Sequence, residues 1–286
     1  MRPVDFDYTS PTTLEEVVRS LADGGDEATI IGGGQSLMPV LRMRMADPDL
    51  LVDLRRIPGM REVREEGDHV VVGAMATHHA VAHDALVAAH AGVLGQAAAC
   101  VGDPQIRYRG TIGGSLAHAD PAGDIAPAVL ALDGTIEVTG PDGARTVPAK
   151  EFFHGPFTTD LRDGEVLTAV RLPKHTGWGM RYEKFAHVAQ SWSIVAVAAA
   201  VQVEDGAVAR VRLGMANMGQ TPLRAESAEA ALTGVPLQER AVHDAAAGAG
   251  EGTSPPVDAA GTAEYRRHLA GVLAGRAVAA AVGVVE

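Results

Sequence analysis

Gln105-Ile106-Arg107-Tyr108-Arg109-Gly110-Thr111-Ile112-Gly113-Gly114-Ser115-Leu116-Ala117-His118-Ala119-Asp120-Pro121-Ala122-Gly123-Asp124 is the stretch on which the reading of this chain turns. Within it, Thr111-Ile112-Gly113-Gly114-Ser115 reads as a turn where the main chain can approach an anion. A second glycine segment, Gly32-Gly33-Gly34-Gln35-Ser36, lies upstream and reads the same way. Glycine lacks a Cβ and accepts positive φ, so successive N–H groups in such a turn can converge on a phosphate oxygen. A diphosphate needs several donors, and two segments supply more than one can.

Neither segment is a common nucleotide fingerprint. The dinucleotide-binding βαβ pattern places glycines first, third and sixth, and counting from Gly32 the sixth residue is Leu37. A P-loop requires Gly-Lys-Ser/Thr, and neither segment holds a lysine. Each segment alone is equally well a tight turn after a strand. The pair, with its surroundings, points to a dinucleotide.

Composition narrows the partners. The 286 residues, 47% of them hydrophobic, suffice for one large or two modest domains with a substantial core. Lys and Arg number 24 against 36 Asp and Glu, a net charge of -12, which excludes the clustered cations that nucleic-acid binding needs. The N-terminal residues have no apolar signal-peptide core, and no run of about eighteen apolar residues suggests a membrane span. A cytoplasmic protein is expected. Cys100 is the single cysteine, so any iron–sulfur cluster must belong to another chain. His78 and His79 are adjacent, a spacing that suits neither a helical nor a strand metal site, and no metal is expected.

Outward from the glycine segments, helix and strand interleave. Thr12-Thr13-Leu14-Glu15-Glu16 offers a capping box for a helix that stops at Gly24-Gly25. Residues 28–31 read as a short buried strand, 37–45 as a short helix or turn, and 50–54 as a second strand, together a small βαβ-like unit. Residues 70–74 read as a strand, 77–91 as one helix capped by Thr77, 94–101 as another, and 125–132 as a third. Further strands are expected at 135–139, 166–172 and 184–185. Beyond Pro173 an apolar run at 194–203 pairs with 208–215 across Asp205-Gly206, a strong hairpin signal. Helices follow at 225–232, 237–247 and 263–282, with 248–261 an exposed loop. The fold class is α+β, with a domain boundary near Thr176-Gly177.

Lysine-free glycine segments, the acidic run Asp120-Pro121-Ala122-Gly123-Asp124, Lys184 and Trp192 are all accounted for by a flavin dinucleotide. Backbone donors and the hydroxyls of Ser36, Thr111 and Ser115 suit its diphosphate. A carboxylate suits ribityl or ribose hydroxyls, and a lysine and an aromatic plane suit the ring.

The stretch from Gly32-Gly33-Gly34-Gln35-Ser36-Leu37-Met38-Pro39 through Arg42-Met43-Arg44 to Leu51-Val52-Asp53-Leu54 resembles the first flavin motif of the medium, FAD-binding subunits of molybdenum hydroxylases. Residues 105–124 resemble the second, more specific motif. The likeness continues at Lys184, at residues 219–224 and at 264–269, and so covers essentially the whole chain. It implies a PCMH-type FAD-binding domain over residues 1–176, built of two α+β subdomains (about 1–57 and 58–176). A C-terminal domain of sheet plus helices over 177–286 is implied to follow. By motif match, Gly32, Gly33, Gly34, Gln35 and Ser36, with Thr111, Ile112, Gly113, Gly114 and Ser115, hold the diphosphate of a non-covalent FAD. Asp124 is matched to a ribityl or ribose hydroxyl, Leu167 to the ring's flank, Lys184 to its polar edge, Trp192 to its screen, and Gly102 to a close approach of the chain.

The resemblance further implies a large molybdopterin subunit and a small subunit with 2Fe–2S clusters as partners, in a dimer of heterotrimers. NAD or another acceptor receives the electrons. No acid, base or nucleophile is required of this chain. A free-standing flavin oxidoreductase and a non-redox scaffold of the same fold are the alternatives. The residues alone also admit other roles: Asp124 as a helix N-cap, Asp120 as a turn residue, Lys184 as a solvated charge and Trp192 as core. Cys100 reads as a buried small thiol rather than a flavin attachment point, and His118 as structural.

Overall fold

Glu16 N donates to Thr13 Oγ1 at 3.2 Å and Thr13 N donates back to the Glu16 carboxylate at 3.3 Å, so the signalled capping box forms. It starts the helix Leu14–Gly24, which buries Val17 and Leu21 and ends at Gly25, where φ is +53°. The computed structural model describes residues 2–284. Residues 1, 285 and 286, at the outer ends of the two expected domains, lie outside the described residues.

That helix and the short helix Leu37–Arg42 are the crossovers of a three-stranded parallel sheet, ordered Asp7–Thr9, Leu50–Asp53, Ala28–Ile31. The expected βαβ-like unit is there, with one strand more than the sequence suggests. Asp7–Thr9 has three residues and no apolar alternation, so nothing in its pattern marks it. Ala28–Ile31, expected to be buried, is only half-buried along its length: Ala28 and Ile30 pack against the core, yet Ala28, Thr29 and Ile30 also line a cavity.

A five-stranded antiparallel sheet follows, in the order Val63–Glu66, His69–Gly73, Val166–Pro173, Thr135–Gly140, Gly143–Pro148. Its central strand carries a bulge between Leu167 and Ala169, which breaks the register beside Leu167. The helix expected over 77–91 is two helices, His78–Ala82 and Ala85–His90. Asp84 causes the break: its carboxylate accepts from Leu86 N at 2.9 Å and Val87 N at 3.1 Å, capping the second. Gly92–Ala99, Pro104–Arg107, Ile112–His118, the wholly buried Ile125–Ala131 and the short Ala149–Phe152 are the other α-helices of this part, and Phe153–Gly155 pairs with Thr158–Thr159 in a two-stranded sheet.

The C-terminal part is a four-stranded antiparallel sheet, Gly179–Phe185, Val195–Glu204, Ala207–Ala216 and Leu223–Arg224, covered by the helices Glu226–Leu232, Glu239–Ala246 and Ala263–Ala281. The predicted hairpin turns at Asp205 (φ +49°) and Gly206 (φ +75°), the double positive φ of a primed two-residue turn. Val195–Glu204 is buried on both faces over its first seven residues, and its alternation is chemical. Val195, Val197 and Val201 pack into the core under the C-terminal helices, while Ala196, Ala198 and Ala200 face the core of the preceding domain. Small residues on that face let the domains come close. A Cβ at Gly214 of the next strand would stand 2.0 Å from the Pro127 carbonyl oxygen of Ile125–Ala131. Among the described residues no helix is long and apolar enough to cross a membrane.

Candidate functional site

A cavity of about 810 Å³ lies between the parallel sheet and the five-stranded sheet, bordered by the 190–192 segment that joins the first two strands of the C-terminal sheet. Both glycine motifs line it. The first leaves the end of Ala28–Ile31, turns at Gly34 (φ +73°) and enters Leu37–Arg42. No acceptor among the described residues takes the N–H groups of Gly33, Gly34, Gln35 or Ser36. Four consecutive free donors beside a cavity form a site for an anionic oxygen. Gln35 Nε2 folds back to donate to the Gly33 carbonyl at 3.0 Å.

The second motif is built differently from the open turn the sequence suggests. Thr111 is the N-cap of Ile112–His118, its Oγ1 accepting from Gly114 N at 3.1 Å. Ile112 N donates to the Ala76 carbonyl at 3.0 Å, Gly113 N to that of Ala74 at 2.8 Å and Ser115 N to that of Thr111 at 3.0 Å. The backbone donors of residues 112–115 are thus engaged inside the protein. Residues 112–115 leave for a ligand the Ser115 hydroxyl and the face of Gly114, where a Cβ would meet only Thr111 Oγ1, at 2.8 Å.

The glycines divide their work accordingly. A Cβ at Gly33 would stand 2.1 Å from the Arg109 carbonyl oxygen, and one at Gly113 2.5 Å from Ala74 Cβ. Gly33 therefore lets the two motifs touch, and Gly113 seats the helix on the chain that follows strand His69–Gly73. At Gly114, which lines the cavity, a Cβ would meet no backbone atom, only the Thr111 hydroxyl.

Asp124 does not cap Ile125–Ala131. Its Oδ1 accepts from Tyr182 Oη at 2.7 Å and Ser193 Oγ at 2.8 Å, and its Oδ2 from Lys184 Nζ at 2.8 Å. Lys184 Nζ also donates to the Cys100 carbonyl at 3.1 Å, and both charged groups are buried. Burial raises the Asp124 carboxyl, opposed by the Lys184 ammonium, and burial with Asp124 nearby raises the Tyr182 phenol well above its usual value. Lys184 is therefore no solvated charge. Asp120 is the expected turn residue, its Oδ1 accepting from Ala122 N at 2.9 Å.

Of the residues singled out from the sequence, Gly32, Gly33, Gly34, Gln35, Ser36, Gly102, Thr111, Gly113, Gly114, Ser115, Asp124, Leu167 and Trp192 line this one cavity. Two do not. Ile112 is fully buried in the core, and Lys184 lines a neighbouring cavity of about 600 Å³ with Cys100, Arg107 and the 186–190 segment. Gly102 borders both. Trp192 is 56% exposed, which removes the reading of it as core. Burial raises the Cys100 thiol, as does the Asp124 charge, so it stays protonated and unreactive, away from the larger cavity.

His78 is among the lining residues that sequence reasoning missed. It is 3% exposed, and burial, with the Arg107 charge adding to it, pushes its imidazole down to about 4. A histidine after a helix-capping threonine carries no sequence signal of a cavity position. The cavity lining holds no Lys or Arg, only the carboxylates of Asp120, Asp124 and Glu165 and the imidazoles of His78 and His118.

Residues 4–175 match the model of the FAD-binding domain in molybdopterin dehydrogenase, and residues 180–281 that of the CO dehydrogenase flavoprotein C-terminal domain. The carbon monoxide dehydrogenase medium chain of Afipia carboxidovorans is 39% identical over 97% of this chain and 97% of its own length. Subunit alpha of the 6-hydroxypseudooxynicotine dehydrogenase complex of Paenarthrobacter nicotinovorans is 36% identical over 99% of this chain and 96% of its own. A chain in the structure of reconstituted CO dehydrogenase from Oligotropha carboxidovorans superposes with a TM-score of 0.94, at 38% identity, with both chains covered in full.

Proposed function

The chain belongs to the FAD-binding medium subunits of molybdenum hydroxylases, and on that premise we propose that it is the flavin-bearing electron outlet of such a complex. Electrons enter from the 2Fe–2S clusters of a small partner subunit, and substrate is oxidised on a large molybdopterin subunit. They leave to NAD or another external acceptor. One observation carries the reading: four backbone donors of the first motif without an acceptor belong to residues that line a dinucleotide-sized cavity, also lined by Gly114 and by no Lys or Arg.

The residues present fit FAD. The N–H groups of residues 33–36, with the hydroxyls of Ser36 and Ser115, would hold the diphosphate. Asp124 lines the cavity with acceptor capacity beyond its three donors and would take a ribityl or ribose hydroxyl. Leu167, set by the bulge, would flank the ring and Trp192 would cover it, with Gly102 giving close backbone approach. Ile112 serves this site through the core beneath it. Lys184 acts through Asp124, holding that carboxylate in place. Bound FAD supplies the redox chemistry, and the chain's own task is to bind, orient and shield it. Accordingly no acid, base or nucleophile is assigned.

The single cysteine leaves the clusters to a partner. Two relatives of near-equal identity act, by their names, on carbon monoxide and on 6-hydroxypseudooxynicotine. Such indifference fits a substrate chosen on the large subunit. We place the division between the FAD domain and the C-terminal domain at residues 176 and 177, and the assembly as a dimer of heterotrimers. The experiment is purification from the native source: co-elution of this chain with iron and molybdenum supports the reading. A yellow protein free of both metals would replace it with a free-standing flavin oxidoreductase.

A further inference from the structure

We propose that His78 is a further cofactor-binding residue, donating its Nε2–H to an oxygen of the bound dinucleotide where the two glycine motifs meet. The inference rests on the reading of the cavity as an FAD site. His78 opens the helix His78–Ala82, and its N donates to the Gly110 carbonyl at 3.0 Å. Gly110 is the residue whose Cα lies 2.7 Å from the position of a Cβ on Gly33. A Cβ on Gly110 would in turn stand 3.1 Å from His78 Nε2. One imidazole edge thus lies at the junction of both motifs.

The ring has no hydrogen-bond partner among the described residues, which is unusual for so buried a polar side chain. Its Nδ1 is sealed from solvent and unpartnered, whereas Nε2 is not among the sealed atoms, and the residue lines the cavity. A neutral imidazole has one N–H, and an enclosed N–H without an acceptor costs more than an enclosed lone pair. The proton therefore belongs on Nε2, the edge a ligand can reach. Burial holds the imidazole neutral near pH 7, which makes it a donor that adds no desolvated charge to the empty site. In a cavity without Lys or Arg, such donors are what an anionic oxygen has to bind.

Two variants test this in the full chain, in the assembly in which it purifies, by titrating FAD into flavin-free protein near neutral pH. His78→Phe keeps a planar ring but has no donor, and His78→Gln keeps a donor. The proposal expects His78→Phe to weaken FAD affinity about tenfold or more, the worth of a hydrogen bond to a charged acceptor. Half or more of that loss is restored in His78→Gln, with the flavin-free melting temperature of both close to the parent's. FAD affinity of His78→Phe within twofold of the parent overturns it. So does a loss equal in both variants and accompanied by a lowered melting temperature, which would make His78 structural. Failure of the parent itself to bind FAD would instead overturn the reading of the cavity.

Discussion

At the scale of single residues, near-identical glycines do different jobs. Gly33 is needed for contact between the motifs and Gly114 for room in the cavity. A methyl at Gly33 would press on the Arg109 carbonyl, so Gly33→Ala should lower the stability of flavin-free protein by about 2 kcal/mol, a fall of several degrees in a thermal melt. A melt unchanged from the parent would show that the motifs part without cost. His78 gives a pH dependence of definite sign. Its folded value, about 4, lies below the unfolded 6.5, so its contribution is intact above pH 6.5 and is lost as pH falls toward 4, while the unfolded chain takes up the proton. At pH 5 the loss is about 2 kcal/mol. Chemical denaturation of parent and His78→Phe at pH 7 and pH 5 should show the parent losing that much more. The residue types at the cradle were legible in sequence. Which glycine meets protein and which meets ligand was not, because that depends on what lies across a gap between segments far apart in the chain.

Elements were legible where local chemistry decides them. The Thr13–Glu16 box and the Asp205-Gly206 turn each complete themselves within a few residues, and both form as read. Residues 77–91 mislead because their apolar pattern continues through a break made by one side chain. Asp84 caps Ala85–His90 with two hydrogen bonds, so Asp84→Ala should cost about 1 kcal/mol in denaturant unfolding, with FAD affinity retained. No measurable cost would mean that packing of Val87, not the cap, sets that helix start. The second glycine motif was read as an open turn because glycines suggest one. Tertiary acceptors at Ala74 and Ala76 make it the first turn of a helix instead. Asp7–Thr9 escapes notice for the opposite reason, since its pairing with Leu50–Asp53 is its whole identity as a strand.

Across the whole molecule, Asp124 joins the FAD domain to the C-terminal sheet through Tyr182, Lys184 and Ser193. Asp133 does so again through Arg212 at 2.6 Å and Arg224 at 2.8 Å. The buried pair is costly to halve. Lys184→Met should destabilise the protein by about 3 kcal/mol, and adding Asp124→Asn should recover part of it, since no unpaired buried charge then remains. Strictly additive losses in a double-mutant cycle would contradict this coupling. The whole-chain resemblance was legible from spaced motifs. The division of the site into a larger cavity and the Lys184 cavity beside it was not, because it follows from where the 186–193 segment passes between sheets. The central claim is that one FAD sits between the two motifs, and its most direct measurement is the flavin-to-chain ratio of purified parent and Gly114→Val protein. The account predicts one FAD per chain in the parent and essentially none in Gly114→Val, whose new side chain would fill the cavity face. A flavin-free parent, or a variant that keeps its full flavin, would contradict it.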